Sequence, residues 1–396
     1  MQGARANLVA LALSVVLLAG VLLGAPPKPA SLQGALAGPT PAVEVPDTTP
    51  ASDLHGLRED VGSVLVVSWR GAAISPTLRS LLLDGRVGGV LLFPSNFKSL
   101  DGLKALTDDL RMFASSACLD HPILVMLDQE GGQVNRVQAD FAGPSALVAG
   151  ASGVDHVRAV EQTAAAGLRA LGVGLNLAPV ADVRTNPTDQ VIGDRSFGSN
   201  PAIVSPLVSA AVQGLHDGGV GATLKHFPGL GGAAGDPHVA IPTDPESQAQ
   251  WERVQLPAFQ AGIAAGADAV MMTAVYVPGL GAGSTPAMFS APVVGRLRTQ
   301  LGFGGVIMSD SVSMGGIGAR YSLSEATVLA LAAGNDLVLL GNGDPASEAE
   351  AMASVSAAVL AGRLDRASVH ESAMRVNRLR DKWGRHFSHC RAVKTV

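Results

Sequence analysis

The sequence predicts a (β/α)8 barrel, an α/β fold in which one large domain follows an apolar leader. Three observations carry that expectation. From about residue 53 onward the chain repeats a short apolar run, a polar or glycine-rich loop and a longer amphipathic stretch; there are eight such runs; and charged residues gather at their C-terminal ends. Continuous apolar runs suit parallel strands covered on both faces, with the amphipathic stretches as crossovers. A doubly wound open sheet is the other arrangement this pattern allows. The charged strand ends decide for the barrel, because that is where a barrel keeps its active site.

The elements follow in order. Residues 1–25 start with Arg5 and then run apolar from Leu8 to Ala25, until Pro26-Pro27-Lys28-Pro29 stops them. This suits either an export signal or an uncleaved membrane anchor, so the protein is expected to be extracytoplasmic, with the membrane involved only through this segment. Residues 26–52 are rich in Pro, Ala, Gly and Thr and read as an extended linker. The barrel domain is placed at 53–390. Its strands are expected at 62–69, 88–93, 123–128, 174–180, 221–226, 269–275, 304–310 and 335–340. Strand three ends in Asp128-Gln129-Glu130-Gly131-Gly132, strand four runs into Asp182, strand five ends in Lys225-His226 and strand seven ends in Ser309-Asp310-Ser311.

Composition narrows the function. Of 396 residues 47% are hydrophobic and only 15% charged, which gives a globular chain with a sizeable core. A net charge of -5 without a Lys/Arg run excludes a nucleic-acid footprint. The two cysteines, Cys118 and Cys390, are too few for a disulfide framework; they either pair in an oxidising compartment or stay buried as thiols.

A concave mouth with several carboxylates, two basic groups and an imidazole, and no Cys/His cluster at metal spacing, suits a neutral polyhydroxylated substrate such as a sugar, handled without metal or cofactor. Cleaving a glycosidic bond takes one group at the anomeric carbon and one to protonate the leaving oxygen. Asp310 is the candidate for the first, since it ends a strand. His238 is the candidate for the second, with Asp236 two residues away; in an extended segment both side chains lie on one side, and the carboxylate can orient the imidazole. A lone Asp-x-His is more often a solvated loop. Here Gly229, Gly231, Gly232 and Gly235 precede it and would let the acid swing over a bound sugar.

Six motifs in order now become informative together: Asp128-Gln129-Glu130-Gly131-Gly132 with Arg136, the stretch from Asn176 to Val183, Val191-Ile192-Gly193-Asp194-Arg195-Ser196-Phe197-Gly198, Lys225-His226-Phe227-Pro228-Gly229, Asp236-Pro237-His238, and Ser309-Asp310 with Met314. The chain resembles the glycoside hydrolase family 3 β-N-acetylhexosaminidases of the single-barrel, peptidoglycan-trimming kind. That resemblance implies that Asp310 is the nucleophile of a retaining reaction, that His238 is the acid/base and Asp236 its partner, and that Asp128, Arg136, Arg195, Lys225 and His226 hold the N-acetylglucosamine ring. The implied partner is a GlcNAc-containing glycan or muropeptide, and the chain is expected to act as a monomer. Three positions depart from the family pattern: Leu230 stands for a histidine, Pro237 for a serine and Gln133 for an arginine.

Other readings stay open at this point. A phosphorylase that transfers the glycosyl group to phosphate fits a histidine acid/base, which does not repel phosphate as a carboxylate would. A β-glucosidase of the same family is a further alternative, although the chain ends soon after Trp383, where such relatives carry a second domain. A non-catalytic wall-binding barrel and a phosphate-handling barrel are rivals from other classes. The latter lacks a basic residue in Leu340-Gly341-Asn342-Gly343-Asp344.

Overall fold

A computed structural model describes residues 51–189 and 191–386 of the chain; the leader, nearly all of the linker and Cys390 lie outside them. The strands, in chain order, are β1 (Leu65–Val67), β2 (Gly89–Leu91), β3 (Leu124–Leu127), β4 (Gln129–Gly131), β5 (Val134–Asn135), β6 (Leu175–Asn176), β7 (Gly221–Phe227), β8 (Ala269–Met272), β9 (Val306–Ser309) and β10 (Val338–Leu339). All but β4 and β5 form one parallel sheet in the order β10-β1-β2-β3-β6-β7-β8-β9, and a parallel bridge between Met308 and Leu337 joins its two ends. The sheet is therefore a closed (β/α)8 barrel. Its eight strands fall within the expected apolar runs or, for β7, extend one residue beyond. β4 and β5 pair antiparallel as a small hairpin just beyond β3, which the apolar pattern could not show because Gln129 and Glu130 are polar.

The barrel is packed solid. Val66, Leu124, Met126, Val306 and Met308 fill its interior, and Leu91, Leu177, Met271 and Leu339 belong to the same buried cluster. Each fully buried side chain of this size contributes roughly 1.5–3 kcal/mol, so the interior is a core and not a channel. A larger cluster lies between the strands and the surrounding helices, with Leu168, Leu215 and Phe259 among its members.

The helices start where the sequence supplies caps. Ser75 accepts from Leu78 N ahead of helix Pro76–Leu83, Ser99 from Gly102 N ahead of Leu100–Ser116, and Asn200 from Ala202 N ahead of Pro201–Asp217. Each side chain satisfies a backbone N–H that the helix cannot, and Pro76 and Pro201 occupy the first helical position, where no N–H is needed. Across the N-terminal side of the barrel, helix Arg366–Trp383 is tied down by the buried Arg380, which donates to the Pro122 and His121 carbonyls. Among the described residues no helix is long and apolar enough to cross a membrane.

Loops at the C-terminal ends of the strands are the long ones: 177–200 after β6, 228–247 after β7 and 273–290 after β8. They build the mouth.

Candidate active site

Glu130 is the centre of the site's electrostatics. It follows Asp128 by two residues as the chain leaves β3, a spacing that sends both carboxylates to one side. Lys225 Nζ lies 2.8 Å from Asp128 Oδ1 and 2.6 Å from Glu130 Oε1, while Arg195 clamps Glu130 through Nε at 2.7 Å and Nη2 at 2.9 Å. Burial pushes the Glu130 carboxyl up, but Lys225 and Arg195 outweigh it and hold it at about 2. Lys225 and Arg195 are shifted upward in turn: burial opposes their charge, and the neighbouring carboxylates prevail. Arg136 sits farther out, 3.9 Å from Asp128 Oδ2 and one-third exposed.

β7 supplies two adjacent site residues because its register slips. Leu224 pairs with Val270 but Phe227 with Met272, so three steps on β7 match two on β8. Such a bulge re-aims side chains, and Lys225 and His226 both line the mouth. His226 Nε2 is 3.2 Å from Arg195 Nη2, and its Nδ1 is 2.7 Å from Asp182 Oδ2. Asp182 is fully buried and also accepts from the backbone N–H groups of His226 and Leu230. It is thus a clamp on the β7 end and the start of the glycine-rich loop, not a helix cap. With Nδ1–H given to Asp182, the imidazole offers Nε2 as an acceptor to Arg195.

Arg195 reaches the mouth on a 3-10 turn, Gly193–Arg195, whose approach is folded around Asp189: that carboxylate accepts from the N–H groups of Val191, Ile192 and Gly193. Its salt bridge is to Glu130, not to Asp194 or Asp182; Asp194 instead accepts from Gln133 Nε2 at 2.7 Å.

Asp310 ends β9. Its N–H donates to the Met272 carbonyl at 2.7 Å; Oδ1 accepts from Ser311 N at 2.8 Å, and Oδ2 receives only a long 3.4 Å contact from Thr273 Oγ1. One oxygen is oriented and the other is left for a substrate. His238 and Asp236 come in from the loop after β7. Their segment is a tight turn and not the extended run expected from the sequence: Val239 N and Ala240 N both donate to the Asp236 carbonyl. The pair forms nonetheless, with His238 N and Nδ1 each 2.8 Å from Asp236 Oδ1. Pro237 fits such a turn, because its fixed φ suits a turn's second position. Burial raises Asp236, but the two His238 contacts outweigh it and hold the carboxyl below its usual range.

Asp128, Glu130, Arg136, Arg195, Lys225, His226, His238 and Asp310 all line one inner pocket of about 180 Å³. Leu91, Leu177, Met271 and Leu339, the barrel residues just below, also line it. A wider cleft of about 470 Å³ adjoins it, lined by Gln133, Thr188, Gly235 and Asp236 and sharing Arg195 and His238 with it. Every site residue predicted from the sequence is at this mouth. What sequence reading missed is Glu130 as a partner of both cations, Asp189 as the loop former and Asn176, whose amide clamps the Gln129 backbone through both its oxygen and its nitrogen. Glu130 had a signal: two residues from Asp128, it had to share its side.

A barrel whose mouth gathers carboxylates from several strand ends around a small pocket fits a sugar-cleaving enzyme. The profile of the glycosyl hydrolase family 3 N-terminal domain matches residues 56–379, and the chain belongs to that family of glycoside hydrolases. It is 36% identical over 286 residues to a β-hexosaminidase of Xanthomonas euvesicatoria pv. vesicatoria, covering 70% of this chain and 83% of that one. Among solved structures, a family 3 β-N-acetylglucosaminidase from Paenibacillus sp. superposes with a TM-score of 0.79 at 32% identity, covering 86% of this chain and 66% of that one. NagZ from Neisseria gonorrhoeae in complex with N-trifluoroacetyl-D-glucosamine superposes with a TM-score of 0.69 at 29% identity, over 82% and 91% of the two chains.

Proposed function

We propose that this enzyme is a retaining exo-β-N-acetylglucosaminidase that releases a terminal GlcNAc from peptidoglycan-derived or related glycans. The observation that carries this reading is the blind inner pocket: its volume of about 180 Å³ is below the ~300–1,000 Å³ of sites for larger ligands, and apolar barrel residues underlie it. Such a pocket takes the last ring of a chain and no more. The names of the relatives support the N-acetyl sugar.

In this mechanism Asp310 Oδ2 attacks the anomeric carbon as His238 gives its proton to the leaving oxygen, forming a glycosyl ester. His238 then takes a proton from water as the water oxygen displaces Asp310. Asp236 holds the imidazole by Nδ1, so that Nε2 does the transfer. Asp128, Arg136, Arg195, Lys225 and His226 grip the ring, with the carboxylate accepting from hydroxyls and the cations donating to them.

The test is release of p-nitrophenol from the β-N-acetylglucosaminide and the β-glucoside, with and without phosphate, alongside Asp310→Ala. The reading expects turnover of the N-acetyl substrate, lost in Asp310→Ala, and a glycosyl adduct on the Asp310 peptide after rapid quenching. Turnover of the glucoside alone would overturn it, and product appearing as glycosyl phosphate would make the enzyme a phosphorylase. Export rests on the sequence of residues 1–25 alone, and cell fractionation tests it.

A further inference from the structure

The loop that carries His238 is seated on Gly315 and Gly316, the two glycines that follow Met314. We propose that Gly315 and Gly316 are positioning residues, a side-chain-free seat that sets His238 against Asp310; this rests on the acid/base reading of His238. A Cβ built on Gly315 would lie 2.1 Å from the His238 carbonyl oxygen, and one on Gly316 would lie 2.7 Å from both the Pro237 carbonyl oxygen and Ile241 N. The nearest atoms to both positions belong to residues 237–241 and are all backbone, which cannot swing aside as a flexible side chain could. Gly316 N also donates to the Pro237 carbonyl at 3.1 Å.

Neither glycine has a positive φ, so their backbone is one that alanine adopts without strain. What crowds a side chain there is the close approach of the His238 loop. The other side of the loop is bare: the Val239 side chain is 76% exposed and that of His238 70%. The seat itself is fixed to the barrel, since Val312 N donates to the Leu339 carbonyl and Val312 and Met314 are buried. Asp310 is on this same rigid segment. The seat therefore relates the two reacting groups: what fixes Asp310 also fixes where His238 docks.

Alanine at 315 would force the His238 carbonyl back by more than 1 Å to reach ordinary contact at 3.4 Å. A displacement of that size costs a positioned group about 10²-fold in rate. The loss should follow the need for proton transfer. Gly315→Ala should cut turnover of an unactivated GlcNAc disaccharide by about 10²-fold. It should leave the first-step burst on the dinitrophenyl glycoside, whose leaving group needs no proton, within a few-fold of wild type. Azide, which attacks the glycosyl ester without a base, should restore steady-state turnover and yield the β-glycosyl azide. Gly316→Ala should show the same pattern more weakly and carries the test if Gly315→Ala does not fold. Gly318→Ala, whose nearest neighbour would be 3.7 Å away, should behave as wild type.

Equal losses on both substrates without azide rescue, in a protein with the wild-type melting temperature, would overturn the seat, as would no loss at all. His238→Ala separates the two claims. If azide rescues His238→Ala but neither glycine variant, the seat alone is wrong. If azide fails on His238→Ala as well, the acid/base reading is wrong.

Discussion

Replacing Glu130 by Gln keeps the shape of the site and removes the charge that two buried cations share. The carboxylate is almost wholly buried and its pKa is lowered from 4.5 to about 2. A shift of that size corresponds to about 3 kcal/mol of stability at neutral pH, of the same order as the ~3–5 kcal/mol lost when one partner of a buried ion pair is removed. Because the folded pKa lies below the unfolded one, this stability is present above pH 4.5 and is lost as pH falls toward 2. Urea denaturation should therefore find Glu130→Gln about 3 kcal/mol less stable than wild type at pH 7, and the gap should narrow to less than half of that by pH 3. Lys225 would keep only Asp128 as a partner and Arg195 would lose its carboxylate, so kcat/KM should fall about 10²-fold from misplaced ring contacts. A gap that stays the same from pH 7 to pH 3, or wild-type kcat/KM in the variant, would refute the role given to Glu130.

Asp182→Asn leaves one amide facing three N–H donors; we expect a cost of about 1–3 kcal/mol in stability and a fall in kcat/KM of at least tenfold, measured by melting and by steady-state kinetics. Arg136 is one-third exposed and only 3.9 Å from Asp128, so Arg136→Ala should raise KM about tenfold with the melting temperature unchanged. Glu348, buried where it accepts from Ser68 N and Oγ, has its carboxyl pushed up to about 8, chiefly by burial. An acid raised in the folded state keeps its proton where the unfolded chain has lost it, so this group makes stability decline from about pH 4.5 to pH 8. Glu348→Gln should lack that component, and melts at pH 5 and pH 8 would show the variant losing less than wild type.

The barrel was legible because burial on both faces leaves an unmistakable trace: runs such as Gly305-Val306-Ile307-Met308 have no polar face to hide. The site was legible for a related reason, since charged residues just past an apolar run have few places to go except the mouth. What escaped was everything set by backbone geometry. The bulge in β7 that brings Lys225 and His226 to one side depends on pairing with β8, which no local pattern encodes. The Asp236–His238 pair was found with the wrong conformation attached, because a two-residue spacing suits both an extended segment and a turn that closes on the Asp236 carbonyl. Arg195 was read as a ring-holding residue, but its partner Glu130, 65 positions away, left no local signal of the pairing. The seat at Gly315 and Gly316 left no trace beyond two adjacent glycines.

The solid barrel beneath the pocket has a kinetic consequence. Leu91, Leu177, Met271 and Leu339 close the barrel end of the pocket, so substrate and products share the mouth. Under the proposed retaining mechanism, the aglycone would have to depart before water could reach the glycosyl ester, and the freed sugar would go last, out through the entrance the next chain end needs. Such an enzyme cannot thread a polymer and clip it as it slides. An enzyme acting as proposed would let go after every cut, and its monosaccharide product would compete with substrate for the same pocket.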